Sequence, residues 1–321
     1  MKAKKQRSRI LRYLRGLLVL VFLYLCSTVG YYFLPWQVRK PVYMLSPKLN
    51  RVLRLRGFKI VEAWDGLGWW GRDCRTTINS EQRNDYVYGG HPESSHDLLL
   101  LENEGYLVGY SESLCNPCWV AYRVFDVPTL ISGKRSSFRT DYRTQAQVSQ
   151  KAYSGSGYDR GHMAPNYAIA TRYGSDGQRE TFLMSNIIPQ RPHVNRYLWK
   201  DLEMRVAKRY GRYFGEVWVI TGPVFNEPIK RLPSGVAIPS AYYKIMVDET
   251  GGELRAKAFL VASDCPPYTR IKTQLVSIDK LEALTGLDFF PELSDEAQSS
   301  LETKSATRLW PWLLPALWHG M

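Results

Sequence analysis

Histidine is scarce in this sequence, with five residues among 321. So few histidines exclude a metal centre built from a histidine cluster. Acidic residues are absent from positions 1–61, which hold 14 of the 43 Lys and Arg residues. The remaining positions carry 29 basic and 30 acidic residues, so the net charge of +13 belongs to the N-terminal segment. The overall charge is therefore poor evidence for nucleic-acid binding. A basic surface that binds nucleic acid would have to be a local cluster of basic residues.

The sequence also lacks an internal repeat and a low-complexity tract, which excludes a repeat architecture. Hydrophobic residues make up 45% and aromatic residues 13% of the chain, so an intrinsically disordered protein is excluded too. A chain of 321 residues has room for one large domain or two small ones with ample core.

Charge is missing altogether from residues 16–36, which follow seven basic residues in positions 1–15. The run is long enough to cross a bilayer, which takes about 20 residues. Tyr31, Tyr32 and Trp36 gather at its far end, as aromatic residues do at membrane interfaces. A cleaved signal peptide and a buried core helix are the alternatives, but no Ala-x-Ala-like cleavage site is present. We expect residues 16–36 to be an uncleaved transmembrane anchor.

The orientation of this anchor is indicated only mildly by charge. The positive-inside rule favours a cytoplasmic N-terminus and a main domain outside the cytoplasm. Seven further basic residues between positions 39 and 59 crowd the other flank. This second basic set either lies on anionic headgroups or substrate, or is a solvated linker.

Four cysteines lie outside the anchor: Cys74, Cys115, Cys118 and Cys265. An even number suits two disulfides in an oxidising compartment. The CxxC spacing of Cys115 and Cys118 also occurs in half of a zinc site and in redox pairs. No second pair completes a zinc site, and the residues after Cys118 alternate like a strand instead of opening a helix. We expect a structural disulfide and leave its connectivity open.

Short apolar and β-branched runs predict strands over residues 98–101, 105–110, 119–125, 217–221, 241–247 and 256–262. Gly222-Pro223 is expected to end the fourth of these, and residues 133–141 are expected to form a basic loop. A short helix is predicted over residues 278–284, with Gly286 after its end. Because strands and helices are interspersed without a βαβ rhythm, the fold class is α+β with a mainly antiparallel core.

Three tryptophans and two prolines stand within residues 310–318. The prolines exclude a regular membrane-spanning helix at this end of the chain. Packing on the main domain is the favoured interpretation, and contact with a membrane surface is the alternative.

The segment after Pro192 has helical spacing. Apolar residues recur at every fourth position and form one face: Val194, Leu198, Leu202, Val206 and Tyr210. Asn195 and Glu203 each come one position after a residue of the apolar face, so they lie on a neighbouring stripe of the helix. In a regular helix they would be about 12 Å apart. Asn195 falls in the first turn, where its carbonyl can face a metal ion and the helix N-terminus favours a phosphate.

The most informative segment is Asp159-Arg160-Gly161-His162. A lone histidine is usually a packed or surface residue, but here an acid, a base and a flexible glycine precede it. Gly161 lets the backbone approach another group closely, and Arg160 can pair with an acid or a phosphate. One general base and one hard metal ion are sufficient parts for a hydrolase.

These segments resemble the DNA/RNA non-specific endonuclease family, which carries the ββα-metal (His-Me) finger. The resemblance rests on residues 159–165, on residues 185–190 and on the Asn195 and Glu203 that follow, and it extends over residues 98–292. It implies a ββα-metal nuclease fold within the α+β class, preceded here by one transmembrane helix. It also implies hydrolysis of phosphodiester bonds in DNA and RNA.

The resemblance implies a role for each matching residue. His162 would be the general base that takes a proton from the attacking water. Asn195 would be the one direct protein ligand of a Mg²⁺ ion, for which Mn²⁺ is the expected substitute. The ion would stabilise the developing charge and help to protonate the leaving 3′ oxygen. Glu203 would hold water around the metal, and Asp159 and Asn186 would order the site.

Arginines near the motif are expected to bind the phosphate backbone. Arg135 resembles an arginine of the family that grips the phosphate, and Arg139 is the competing match. Residues 188–212 hold seven basic side chains against two acids, which predicts a basic surface and sequence-tolerant, salt-sensitive binding. The substrate-binding candidates are Arg139, Arg160, Arg191 and Arg196.

The sequence therefore predicts a membrane-anchored, Mg²⁺-dependent endonuclease whose partners are the DNA and RNA backbone and the membrane, with a homodimer left open. The expected organisation is a basic segment (1–15), the anchor (16–36), a basic linker and lead-in (37–97), the nuclease domain (98–292) and a Trp-rich tail (293–321). The alternatives are a non-cleaving nucleic-acid-binding protein of the same fold and a redox or zinc module on Cys115 and Cys118. Scavenging, uptake, defence and competition all fit the sequence equally.

Overall fold

The computed structural model describes residues 2–65, 67, 74–77, 86–127, 133–250 and 253–310. The chain divides into two compact units, residues 1–67 and residues 68–321.

The first unit consists of the helices α1 (Lys2–Phe33), α2 (Trp36–Leu45) and α3 (Pro47–Asp65). Within α1, Leu11–Phe33 is long and apolar enough to cross a membrane, with a mean hydropathy of 1.9. The helix ends three residues before the predicted end of the anchor, because Pro35 restricts the residue before it and lacks an N–H donor. The support for a membrane span is therefore the length and the apolar composition of Leu11–Phe33.

The second unit is built on an eight-stranded antiparallel sheet. Its strands and those of two small ladders are, in chain order, β1 (Cys74–Thr77), β2 (Glu93–Ser94), β3 (Leu99–Asn103), β4 (Tyr106–Ser111), β5 (Asn116–Phe125), β6 (Asp159–His162), β7 (Ile187–Gln190), β8 (Glu216–Val224), β9 (Ala241–Thr250), β10 (Glu253–Ala262), β11 (Leu275–Val276) and β12 (Leu287–Asp288). Across the large sheet the order is β1-β10-β9-β8-β5-β4-β3, with β11 paired to β10. The small ladders are β6–β7 and β12–β2. The predicted α+β class with an antiparallel core is confirmed.

The longer helices among the described residues of this unit are α4 (Asn166–Glu180), a mixed helix over residues 194–214 in which π and α segments alternate, α5 (Ile278–Thr285) and α6 (Asp295–Glu302). The prediction for α5 is confirmed at both ends. Ser277 accepts a hydrogen bond from the backbone N of Lys280, and Gly286 adopts the left-handed conformation with φ of 68°, which ends a helix at little steric cost.

Side-chain alternation along the strands gives the sheet two apolar faces. On one face, Val219 and Met246 belong to a core that also contains residues of α4 and the mixed helix. On the other face, Trp218 and Ile245 belong to a core that contains residues of α5 and α6. Each large apolar side chain fully buried in these cores contributes about 1.5–3 kcal/mol. Packing on the sheet therefore holds the helices that carry the polar residues described below.

The strand β8 does not end where the sequence predicted. It continues through Gly222 and Pro223 to Val224. Pairing with β5 stops at Thr221, while pairing with β9 continues to Val224. Proline is tolerated at position 223 because the side of the strand that faces β5 is already unpaired there.

The predicted disulfide is not present, since the structure records no bond between cysteine side chains. Cys115 lies before β5 in a left-handed conformation, with φ of 54°, and its Sγ donates to the carbonyl of Glu112 at 3.4 Å. Cys118 lies within β5, where burial raises the pKa of its thiol to about 12 and a hydrogen bond with Ser111 opposes the rise. The two thiols of the CxxC pair therefore have separate partners.

Trp310 is buried and packs its ring against Tyr210 and Phe214, with centroids 5.4 Å and 5.0 Å away. The expected packing of the C-terminal segment on the main domain is confirmed at this residue. The other two tryptophans of the predicted tail, within residues 311–321, lie outside the described residues.

Candidate active site

A short antiparallel ladder followed by a helix carries the motif residues. β6 pairs with β7 so that Asp159 lies opposite Gln190 and His162 lies opposite Ile187. The mixed helix begins four residues after β7 ends. This strand–strand–helix order is the predicted ββα finger, and it places the predicted acid, base and amide in one substructure.

Gly161 allows the buried side chain of Gln190 to pack directly on β6. A Cβ at position 161 would lie 2.1 Å from Oε1 of Gln190, so a larger residue would displace that side chain. The close approach that the sequence predicted at Gly161 is made by Gln190. Neither polar atom of this buried amide has a hydrogen-bond partner among the described residues.

His162 is half-buried beside two aromatic rings. Its ring centroid lies 5.4 Å from that of Phe138 and 5.0 Å from that of Phe182. Its Nε2 is buried and has no hydrogen-bond partner within the described part of the chain. Burial lowers the pKa of His162 to about 3, and the positive charge of Arg135 adds to this effect. The imidazole is therefore neutral at physiological pH and holds a ring nitrogen that no group in the described part of the chain occupies.

The two candidates for the phosphate-binding arginine, Arg135 and Arg139, have different neighbours in the structure. The guanidinium of Arg135 lies 5.9 Å from the ring centroid of Phe182, and its charge acts on both His162 and Glu203. Arg139 instead donates to the backbone carbonyl of Arg179 at 3.0 Å and lines a separate cavity of about 720 Å³. Arg135 is the arginine whose charge reaches the histidine and the glutamate.

Asp159 and Asn195 form one hydrogen-bonded group with Arg196. Nδ2 of Asn195 donates to Oδ2 of Asp159 at 2.9 Å, and Arg196 donates to both carboxylate oxygens at 2.8 Å and 2.7 Å. Burial alone would raise the pKa of Asp159, but the hydrogen bonds from Arg196 and Asn195 outweigh it and lower the pKa. Because the amide nitrogen is held by Asp159, the carbonyl oxygen of Asn195 points to the opposite side and is available as a ligand.

Glu203 is half-buried two turns further along the mixed helix. Burial raises its pKa, and the charge of Lys244 is the largest effect that opposes this rise. Lys244 is fully buried on β9, with its Nζ 3.3 Å from the hydroxyl of Tyr122 and 4.6 Å from the ring centroid of Trp199. Burial lowers the pKa of Lys244, and Glu203 opposes that shift. The two side chains are each other's main charge partners.

Lys244 had no predicted role. The one available signal in the sequence is that it is a lone charged residue inside an apolar strand, Ala241–Val247. Such a residue is buried only when a partner compensates its charge. The partner, Glu203, lies 41 positions earlier on another element, so spacing along the chain could not reveal it.

Asn186 lies behind the site and not in it. It is fully buried, its Oδ1 accepts from the backbone N of Ala164 at 2.8 Å, and its Nδ2 donates to the carbonyls of Thr181 and Ala164 at 2.9 Å and 3.1 Å. These bonds join the start of β7 to the residues that follow His162. The geometry supports the predicted ordering role and gives Asn186 no direct access to a substrate.

Three predicted substrate-binding arginines have protein partners. Arg160 donates to the carbonyl of Gln150 at 3.1 Å and stacks on Phe138 at 5.6 Å. Arg196 holds Asp159, although its side chain remains 64% exposed. Arg191 stacks on Tyr158 at 5.5 Å and lines a groove of about 640 Å³. Arg191 and Arg196 present charge to solvent, whereas Arg160 supports the aromatic wall beside His162.

The helix that carries Asn195 and Glu203 is not a regular α-helix. Its first and third segments, Val194–Trp199 and Val206–Tyr210, are π-helical. A π turn takes more residues than the 3.6 of an α turn, so mixing the two keeps every fourth residue nearly in line. This accounts for the four-residue apolar period of the sequence, with Val194, Leu202, Val206 and Tyr210 buried.

Comparisons with known proteins find similar sequences and a similar fold. A family model described as DNA/RNA non-specific endonuclease matches residues 84–296. A nuclease from Nostoc sp. is 33% identical over 224 residues, which cover 65% of this chain and 78% of the relative. Human mitochondrial endonuclease G is 28% identical over 222 residues, covering 62% of this chain and 72% of the relative. The crystal structure of an EndoG–EndoGI complex matches with a TM-score of 0.56 and 25% identity, over 65% of this chain and 91% of that chain.

Proposed function

The chain belongs to the DNA/RNA non-specific endonuclease family, and from that premise we propose that it is a Mg²⁺-dependent nuclease with His162 as its general base and Asn195 as its metal ligand. The family consists of hydrolytic, metal-dependent endonucleases, so this chain is classed as a nuclease. The substrate is the phosphodiester backbone of DNA and RNA.

The state of His162 carries this proposal. A general base must be unprotonated at working pH and must have a ring nitrogen that is not engaged by another protein group. The buried, unpartnered Nε2 and the lowered pKa of His162 meet both conditions. His162 takes the proton of the attacking water, and Phe138 and Phe182 hold the ring in one orientation.

The residues on the other side of the finger fit a Mg²⁺ ion. Mg²⁺ prefers oxygen ligands, keeps several waters and binds through few protein groups plus substrate phosphates. The free carbonyl oxygen of Asn195, fixed by the bond to Asp159, is such a ligand. The carboxylate of Glu203 is a suitable partner for surrounding water. When bound, Mg²⁺ supplies positive charge that stabilises the negative charge developing on the phosphate.

Arg135 is proposed to hold the scissile phosphate next to His162. Its side chain is exposed on a loop, and its charge reaches both His162 and Glu203. A guanidinium binds phosphate oxygens through two parallel hydrogen bonds. Phosphate contacts carry no base information, so cleavage is expected to tolerate any sequence and to weaken with salt.

The enzyme is proposed to be anchored in a membrane by α1, with its nuclease domain outside the cytoplasm. The support is the apolar stretch Leu11–Phe33 behind a basic N-terminus. Protease added to intact cells should digest the nuclease domain and leave a cytoplasmic control protein whole. Complete protection of the nuclease domain, lost on cell lysis, would show that the orientation is the reverse.

The full chain in detergent should degrade both plasmid DNA and RNA in Mg²⁺ and neither in EDTA, with Mn²⁺ able to replace Mg²⁺. His162→Ala should bind nucleic acid and cut neither, because the substitution removes the base and leaves the phosphate contacts. Cleavage by His162→Ala at the wild-type rate would refute the assigned base. A folded wild-type protein that binds and never cuts would establish a nucleic-acid-binding protein instead.

A further inference from the structure

A group of carboxylates converges far from the nuclease motif, where α5, β12 and α6 meet. Asp279 lies in the first turn of α5, Glu282 lies one turn later, and Glu302 is the last residue of α6. One oxygen from each of these three side chains lies within 4.8 Å of one from each of the others. Asp288 of β12 contributes a further negative charge that acts on both Glu282 and Glu302.

Glu302 is the unusual member of the group. The residue is only 6% exposed, and its Oε1 is buried without a hydrogen-bond partner in the described ranges. The charges that act on it come from Glu282, Asp279 and Asp288, and all of them are negative. A buried carboxylate oxygen on which only negative charges act lacks the compensation that burial of a charge requires.

The position of Glu302 at the end of α6 adds to this cost. The C-terminal end of a helix carries partial negative charge from its unpaired carbonyls, which disfavours a carboxylate and favours a cation. Burial, together with the neighbouring carboxylates, raises the pKa of Glu302 to about 8. The described side chains supply no cation that relieves this accumulation of negative charge.

We propose that Asp279, Glu282 and Glu302 form a second divalent-cation site that takes Ca²⁺ and is separate from the catalytic centre. Ca²⁺ binds six to eight oxygen ligands in flexible geometry, and it accepts carboxylates and water together. Glu302 supplies the buried ligand, while exposed Asp279 gives the ion and its waters a route from solvent. Asp288 adds a fourth negative charge next to Glu282 and Glu302.

The proposed ion ties the C-terminal elements to the sheet. Ile278 and Leu281 of α5 and Ala297 and Leu301 of α6 pack in the same core as the sheet residues on that face. A cation that joins Asp279 to Glu302 holds both helices in place and removes the repulsion between them. Its role is therefore in stability, and the nuclease reaction does not use it.

The test is thermal unfolding of the full chain in detergent, once in EDTA and once in excess Ca²⁺. Circular dichroism monitors the unfolding. Ca²⁺ should raise the Tm of the wild type by roughly 5 °C or more at saturation. Glu302→Gln should lose this rise, and Asp279→Asn should reduce it. Glu296→Gln is the matched control, because Glu296 is an exposed glutamate on the same helix, and it should keep the full rise.

Two further comparisons make the result decisive. Asn195→Ala should keep the Ca²⁺ response, because that substitution affects the other site. In EDTA, Glu302→Gln should melt no lower than the wild type, since a neutral amide replaces a buried carboxyl group whose charged form is disfavoured there. An equal Ca²⁺ rise in Glu302→Gln and wild type, or no rise in the wild type, would overturn the proposal. If Glu302→Gln fails to fold, a full rise in Asp279→Asn would overturn it.

Discussion

Two desolvated glutamates on opposite sides of the same sheet, Glu203 half-buried and Glu302 buried, show how differently a carboxylate can be accommodated. Glu203 belongs to the mixed helix, and burial raises its pKa while Lys244 and Arg135 oppose the rise. Glu302 belongs to α6, and burial raises its pKa while three further carboxylates increase the rise. Both are desolvated, but only Glu203 is given counter-charges by the described part of the chain.

This difference separates a functional site from a structural one. At Glu203 the protein supplies its own cation from β9, so the carboxylate is kept in place before any ligand arrives. At Glu302 the neighbouring charges are negative, so compensation comes from outside the chain, as a bound proton or a bound cation. The first arrangement suits a preorganised catalytic site, and the second suits an ion that acts as part of the fold.

The strongest test of this comparison is His162→Ala. Removing a general base lowers the rate by roughly 10²–10⁴-fold, so plasmid cleavage in Mg²⁺ should fall by that factor. The Tm response to Ca²⁺ should stay unchanged, since Glu302 lies on the other face of the sheet. Loss of both properties together would mean that the two faces are not independent.

Lys244→Met should make Glu203 resemble Glu302 by removing its main counter-charge. Breaking a buried charge pair by removing one partner costs about 3–5 kcal/mol, so the free energy of unfolding in urea should fall by that order. The double variant Lys244→Met with Glu203→Gln should recover much of the loss. A double variant no more stable than Lys244→Met alone would show that the two charges are not coupled.

Asn195→Ala should separate the two proposed metal sites. Losing a group that only supports a metal ligand costs roughly 10–100-fold in metal affinity, so losing the ligand itself should cost at least tenfold. A Mg²⁺ titration of cleavage measures this shift. An unchanged Mg²⁺ requirement would show that Asn195 does not bind the ion.

The smallest expected effect is a pH dependence of stability that originates at His162. Its pKa falls from about 6.5 in an unfolded chain to about 3 in the fold. The unfolded state therefore binds the proton first, and stability is lost as pH drops below about 6.5 toward 3. Between pH 7 and pH 5 the loss should be about 1–2 kcal/mol.

Urea unfolding at the two pH values measures this dependence. His162→Phe, which cannot titrate, should lack the part of the slope that is due to His162. An identical slope in the variant would assign the pH dependence to other groups.

The sequence was informative wherever structure follows from local pattern. Gly286 predicted the end of α5, and the alternation after Cys118 predicted β5. The four-residue period predicted the helix after Pro192. It did not predict the π segments, because an apolar period shows which residues face the core and not how many residues make a turn. Pro223 was misread because the tolerance of a strand for proline depends on its neighbours.

Contacts between distant elements could not be predicted in this way. Spacing along the chain placed Asn195 and Glu203 on one helix, but it could not show that Asp159 holds the amide of Asn195. Nor could it separate Arg135 from Arg139, which differ by four positions and have similar neighbours. The pairing of Glu203 with Lys244 depends on packing the mixed helix against β9.

By its own patterns the sequence determined the α+β class and the apolar run near the N-terminus, and its resemblance to a known family implied the ββα segment with His162 and Asn195. Each of these depends on residues that lie close together along the chain. Only the tertiary structure decided that Nε2 of His162 is buried without a partner among the described residues, that the cysteines remain apart, and that the charges acting on Glu302 come from carboxylates. The physical reason is that burial and charge compensation are properties of the space around a side chain, which the fold creates by joining segments from distant parts of the chain.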